Sequence, residues 1–166
     1  VETDEQSARE HHFAEELGLL FEQSGGSRMM GRVVGWLLIC DPPRQTAADL
    51  AQALHASAGS ISTTTRQLIQ GNLIEKVAVR GDRRAWYQIS EGAWTRSLQS
   101  KTMSFTLMRE LSERGLELLS KAPPGRRARL EEMHDLHAFF EREFPRLIDQ
   151  FHAERAAHRA TQRSSK

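Results

Sequence analysis

The chain switches between two hydrophobic periods, and the stretch where the period changes is its centre. Phe13, Leu17, Leu20 and Phe21 recur at three- and four-residue spacing. That predicts a helix over residues 11–21, stopped by Ser24-Gly25-Gly26. Residues 1–10 are polar and are expected to fray. Met29, Met30, Val33, Val34, Leu37 and Leu38 make the next segment, Arg28–Ile39, apolar nearly all round, which predicts a buried helix. Gly31 and Gly35 share one face of it and lower its propensity, so another helix is expected to pack closely there. Asp41-Pro42-Pro43 ends it, because a residue before proline avoids helical angles.

Residues 46–89 then change character twice. Thr46 and Asp49 form a capping-box pattern at the start of a short helix with inner face Leu50, Ala51 and Leu54. His55-Ala56 makes a turn, and Ser57 caps a second helix with inner face Ile61, Thr65 and Leu68. Gly71-Asn72 stops that helix with a left-handed cap. The period then drops to two. Val77 and Val79 alternate outward, Ala85, Tyr87 and Ile89 alternate on the return, and Gly81-Asp82 suits a two-residue hairpin turn. Two helices, a tight turn and a hairpin with a basic tip form a winged helix-turn-helix, a unit that reads duplex DNA.

Helical spacing resumes near residue 91. Trp94, Leu98, Phe105, Met108, Leu111 and Leu119 predict one helix reaching about residue 121, and Ala122-Pro123-Pro124-Gly125 breaks it. The last helix starts near Arg126. Leu130, Met133, His137, Phe140, Phe144, Leu147 and Phe151 alternate by three and four, as in a seam that pairs helices. One chain could bury this seam itself, but its aromatic load favours a second copy, with Phe13 and Leu17 as further dimer contacts. Pro145 is expected to kink or split the helix. The tail from His158 is polar and basic and is expected to be disordered. The expected organisation is an N-terminal dimer helix (1–26), a winged helix-turn-helix (27–90), C-terminal dimerisation helices (91–159) and a tail (160–166). The fold class is mainly α with a small β-hairpin wing.

Composition narrows the function. The 23 basic and 22 acidic residues nearly cancel, so any DNA binding must come from charge sorted onto one face. The second helix of the unit offers such a face. Gly59, Ser60, Thr63, Arg66 and Gln67 line it, with Ser62 on the flank. Short residues let the backbone approach phosphate at a helix N-terminus, while Arg66 can fork onto guanine and Gln67 onto adenine. An ordinary solvated face is the bland alternative, but poor helix formers crowd residues 60–65 beyond what stability would favour. Arg80, Arg83 and Arg84 gather at the wing tip with only Asp82 to offset them. They are candidates for the minor groove or its phosphates. The expected DNA contacts are therefore Thr46, Ser57, Ser60, Ser62, Thr63, Arg66, Gln67, Arg80, Arg83 and Arg84. Trp86 is expected to pack in the hairpin.

Other chemistry is thin. Cys40 is the only cysteine, which excludes a disulfide within the chain and suits a small core residue. His134 and His137 share a helical face beside Asp135, but no third ligand adjoins them, so no metal is expected. No cofactor is expected either. A Gly-rich phosphate loop, catalytic carboxylate pair or nucleophile–base arrangement is not evident, which argues against an enzyme. No apolar run approaches the length of about 18 residues that a membrane helix needs, so a cytoplasmic location and no membrane partner are expected. Met29, Met30, Trp36, Trp94, Phe105 and Met108 are candidates for a small-effector pocket, although such spacing also suits plain core. A winged helix that binds protein instead of DNA is the remaining alternative, and the basic wing argues against it.

Several segments carry a family resemblance. Residues 30–38 (MGRVVGWLL), Asp41-Pro42-Pro43, residues 57–62 (SAGSIS), Gly81-Asp82-Arg83-Arg84 and residues 139–147 (FFEREFPRL) together resemble the GbsR-like branch of the MarR-type transcriptional regulators. The resemblance spans residues 13–151. It implies a dimeric winged helix protein that represses or activates genes, often under a small ligand, with residues 57–67 as recognition helix and 80–84 as wing. Ala85-Trp86 departs from the acidic or polar residue and aromatic expected there.

Overall fold

The computed structural model describes residues 2–164. Its elements are α1 (Glu2–Gln23), α2 (Arg28–Ile39), β1 (Gln45–Thr46), α3 (Ala47–Ala53), α4 (Ala58–Gln70), β2 (Ile74–Val77), β3 (Trp86–Ile89), α5 (Ala93–Leu118) and α6 (Pro124–Ser164). The chain divides into two compact units, residues 1–96 and 97–166.

In the first unit α1 packs against α2 through small residues. A Cβ added at Gly31 would lie 2.7 Å from the Gly18 Cα, and one at Gly35 would lie 2.8 Å from the Ala14 Cα. The two glycines are therefore where one backbone presses on another, as their shared face predicted. Arg32 ties the corner together, pairing with Glu15 of α1 and donating to the Leu54 carbonyl at 2.7 Å. The core beneath is formed by Val33, Val34, Leu37, Leu50, Leu54, Ile61, Leu68 and Ile74. Cys40 is buried in the same cluster, and burial pushes its thiol up to about 11, so it is packing material and not a thiolate.

Several boundaries differ from the sequence expectation. The first helix begins at Glu2, so residues expected to fray are helical. An i,i+4 ion pair between Glu5 and Arg9 and a Gln6–Glu10 hydrogen bond support that early part. α1 packs on α2 and falls in the same compact unit as the winged helix. Leu17 packs against the unit's own core, while Phe13 is exposed. At the end of α4 it is Asn72, at φ 56°, that takes the left-handed conformation, while Gly71 stays at φ −79°.

The sheet has three antiparallel strands in the order β1-β3-β2, with Thr46 opposite Trp86 and Ile74 opposite Ile89. Val77 pairs with Trp86, so residues 78–85 form the wing loop and the expected two-residue hairpin turn is absent. Within that loop Asp82 N–H donates to the Val79 carbonyl at 3.0 Å, a turn that needs Gly81 at φ +85°.

In the second unit the apolar seam of α6 meets α5 of the same chain along much of its length. Leu130 seats on Gly115, and Phe105 stacks on Phe140 at 5.1 Å and meets Phe144 edge-on at 5.5 Å. Leu130, Met133, His137, Phe140 and Phe144 are accordingly only partly accessible, whereas Leu147 and Phe151 stay exposed. The seam expected to join two copies is thus largely an intrachain contact up to Phe144. Beside it Arg109 pairs with Glu141 and, at 2.6 Å, with Glu113, while Thr106 donates to Glu141 at 2.8 Å. Pro145 sits inside α6 without splitting it. The helix also continues through the polar tail to Ser164, where disorder was expected. Residues 165 and 166 lie outside the described residues.

Candidate nucleic-acid interface

Local sequence sets the position of α4. Thr46 accepts from Asp49 N–H at 3.2 Å while Asp49 accepts from Thr46 N–H at 2.8 Å, a complete capping box that starts α3. His55 at φ 46° turns the chain, and Ser57 accepts from Ser60 N–H at 3.2 Å to start α4. Ile61, Thr64, Thr65 and Leu68 are buried beneath it. Thr65 satisfies its hydroxyl by donating to the Ile61 carbonyl at 2.8 Å.

The opposite face is free. Gly59, Ser62, Thr63, Arg66 and Gln67 are exposed and Ser60 is half-buried. The face picked out from the sequence is thus presented to solvent by a helix whose other side is locked into the core. Four of its side chains end in hydroxyl, guanidinium or amide groups, and no acid interrupts them.

Two expected contacts have other tasks. Thr46 is only 3% exposed and its hydroxyl is held by Asp49, so it shapes the helix start and cannot reach a phosphate. Arg84 is held by Asp82, donating from Nε at 2.9 Å and from its terminal nitrogen at 2.6 Å. Its guanidinium also lies 5.1 Å from the centre of the Trp86 ring. Trp86 Nε1–H donates to the same Asp82 carboxylate at 3.1 Å. Hydrogen bonds from Arg84, side chain first and then backbone, hold the Asp82 carboxyl down at about 2. Arg84 therefore braces the wing, leaving Arg80 and Arg83 as its exposed arginines without an ion pair among the described residues. Asp82 is the residue the sequence reading undervalued. Its signal was the spacing of Asp82, Arg84 and Trp86, three groups on alternate positions that can meet on one side of a strand.

The candidate effector residues are divided between the units. Met29, Met30 and Trp36 pack against the first unit's core and Trp94 is exposed. In the second unit Phe105 is packed on Phe140 and Phe144, and Met108 is exposed. His134, considered earlier beside His137, faces carboxylates from both nitrogens, Asp135 at 3.1 Å and Glu113 at 3.4 Å. Those bonds, Asp135 first, raise its affinity for a proton. His137 Nδ1 instead bonds the Met133 carbonyl at 2.6 Å.

A capped pair of helices with an outward polar face, followed by a braced hairpin, defines the first unit as a winged helix-turn-helix. Known proteins agree at finer grain. The MarR family model matches residues 32–85, and a model described as "MmpR5-like MarR family transcriptional regulator" matches residues 92–154. The HTH-type transcriptional regulator MmpR5 of Mycobacterium tuberculosis (strain ATCC 25618 / H37Rv) is 43% identical over 129 residues, covering 78% of this chain and 78% of its own. A crystal structure of a transcriptional regulator, 39% identical, aligns with a TM-score of 0.74 over 87% of this chain and 99% of that one. The chain belongs to the MarR family of transcriptional regulators, and its relatives are regulators and not enzymes. The subgroup matched is MmpR5-like, so the resemblance to the GbsR-like branch holds at the level of the wider family. Among the described residues no helix is long and apolar enough to cross a membrane.

Proposed function

We propose that the chain acts as a homodimer in the cytoplasm, reads a two-fold operator in duplex DNA and represses the genes beside it. The observation that carries this reading is the exposed face of α4, where Ser62, Thr63, Arg66 and Gln67 stand with no acid along the helix, followed in the chain by the exposed wing arginines Arg80 and Arg83. Arg66 and Gln67 have the donor geometry for base edges in the major groove. Ser57 and Ser60, at the helix N-terminus, suit a phosphate. Arg80 and Arg83 suit the minor groove or the phosphates flanking it.

Charge supports two copies. With a net charge of +1, one chain offers little bulk attraction to DNA, and doubling the interface doubles the phosphate contacts. The second unit supplies a surface for joining. Leu107, Leu111 and Leu118 on α5, and Leu136, Phe139, Leu147 and Phe151 on α6, are large apolar side chains left exposed in a single copy. The segments at residues 30–38 and 139–147 keep the GbsR-like placement within the proposal. Control by a small apolar effector belongs to it as well.

The test is selection of bound sequences from random duplex DNA, with and without a metabolite extract, followed by titration of the selected duplex. A two-fold site should emerge. Arg66→Ala should relax base preference at one position per half-site, costing about 1–3 kcal/mol of discrimination. Arg83→Ala should weaken binding to all sequences and lower the salt slope by about one. No enrichment of any sequence would point to a winged helix that binds protein instead.

A further inference from the structure

Late in α6 the helix changes character. Ile148, 7% exposed, is its last buried residue among the described ones, and every residue from Asp149 to Gln162 is exposed. Beyond Phe151 the apolar side chains are all alanines, Ala153, Ala156, Ala157 and Ala160. Alanine is the best helix former, and side-chain hydrogen bonds one turn apart brace the segment. Gln150 donates to Glu154 at 2.8 Å and Gln162 to His158 at 3.0 Å. The helix therefore persists to Ser164 without burying a face.

What this segment presents is charge. His152, Arg155 and Arg159 follow one another at three- and four-residue spacing, and Arg163 takes the next position of the same face. Earlier on α6, Arg127 pairs with Glu131, and Arg142 and Arg146 pair with Glu143. Arg155 and Arg159 have no ion pair among the described residues. Residues 155–166 hold four of the 23 basic residues and none of the 22 acidic ones, so the rest of the chain carries 19 basic against 22 acidic. The positive balance of the whole chain thus comes from this segment. Cations near a helix C-terminus also complement its dipole, but that effect falls off within the last turn, and Arg155 and Arg159 lie before it.

The partner follows from what the face lacks. A helix that lies on a membrane needs a face of large apolar residues, and a helix that pairs with another needs large knobs at three- and four-residue spacing. Neither is present beyond Phe151. A polyanion needs only spaced cations with small residues between them. Arg155 and Arg159 are about 6 Å apart along the helix axis, with alanines between. We propose that this face of α6 is a second DNA-binding surface, separate from α4 and the wing. There Arg155 and Arg159 hold phosphates of the duplex without regard to sequence. The inference rests on the DNA reading above and adds a contact that no part of the winged helix supplies.

Titration of the full chain over a salt series tests it, using two duplexes of one length, one selected from random sequence and one unrelated. Arg155→Gln/Arg159→Gln should weaken binding to both by the same factor. It should also lower the slope of log affinity against log salt by about 1.8 for each chain bound, at about 0.9 per phosphate contact. Arg155→Lys/Arg159→Lys should keep the slope. Arg126→Gln/Arg129→Gln removes two exposed arginines from the start of the same helix and should leave the slope unchanged, which separates contact from bulk charge. Thermal unfolding and sedimentation of all three should match the unsubstituted chain. Arg66→Ala, read as lost base preference, tests the α4 reading by itself, so either reading can fail alone. An unchanged slope in Arg155→Gln/Arg159→Gln, or an equal drop in Arg126→Gln/Arg129→Gln, would overturn the proposal. Binding to phosphatidylglycerol vesicles that Arg155→Gln/Arg159→Gln abolishes, with its duplex slope intact, would assign the face to a lipid surface instead.

Discussion

The two units differ in whether they close a core. The first does: Leu50, Leu54, Ile61, Leu68 and Ile74 are at most 2% exposed, while Phe13, Leu19 and Leu20 on α1 stay open and the outside of α4 is mostly polar. The second does not: Leu118 is 86% exposed, and Leu147 and Phe151 are each close to half or more. A core that closes on itself is the mark of a unit built to present a surface, here the α4 face. An open helix pair is the mark of a unit built to be covered. Under the proposed dimer, reading and assembly are separate tasks, and variants should divide along the same line.

The largest expected effect lies where two backbones touch. Gly31→Leu would drive a side chain into the α1 backbone, which cannot yield as a flexible side chain does. The variant should lose about 3 kcal/mol or more, or fail to fold, as read by urea unfolding. Leu50→Ala empties a fully buried site and should cost about 2–5 kcal/mol. Leu147→Ser at an exposed position should change chain stability little while shifting sedimentation toward the single copy. If Leu147→Ser unfolds the chain as Leu50→Ala does, the distinction between the two units fails.

Thr46→Ala comes next. It removes one half of the capping box and should cost about 1–2 kcal/mol with no change in the salt slope of DNA binding, since Thr46 is buried. A lowered salt slope would restore Thr46 as a phosphate contact.

The smallest effects are in pH. His134 holds its proton above the ordinary histidine range, so its contribution to the second unit is present below that range and fades as pH rises through the raised value. Asp82 is the reverse case. Its carboxyl is held at about 2, so its brace on the wing is present above the usual carboxylate range and fades as pH falls toward that value. Proton-resolved titration should show His134 above and Asp82 below their ordinary values. Asp135→Asn should lower the His134 value, and Arg84→Gln should raise that of Asp82.

How much of this was legible in the sequence depends on how local the cause was. The caps at Thr46 and Ser57, the close approach at Gly31 and Gly35, and the outer face of α4 all follow from spacing within one element. They appear in the structure where the sequence put them. What was missed is set by tertiary partners. β1 is two residues long and exists only because Gln45 and Thr46 pair with Tyr87 and Trp86. The wing loop opens to residues 78–85 because Asp82 gathers Arg84 and Trp86, a bargain among side chains that a turn dipeptide does not encode. Arg84 read as a free cation for the same reason. On α6 the seam of threes and fours was correct as a pattern, but a pattern does not say which helix will fill it. Phe105 of α5 does so up to Phe144.

The central claim is that two copies place two α4 helices on one operator. Hydroxyl-radical footprinting of the complex with the selected duplex tests it most directly. The account predicts two protected segments related by two-fold symmetry, centred about 10 bp or a whole multiple of it apart, on one face of the duplex. A single protected segment, or two at a spacing that puts them on opposite faces, would contradict it.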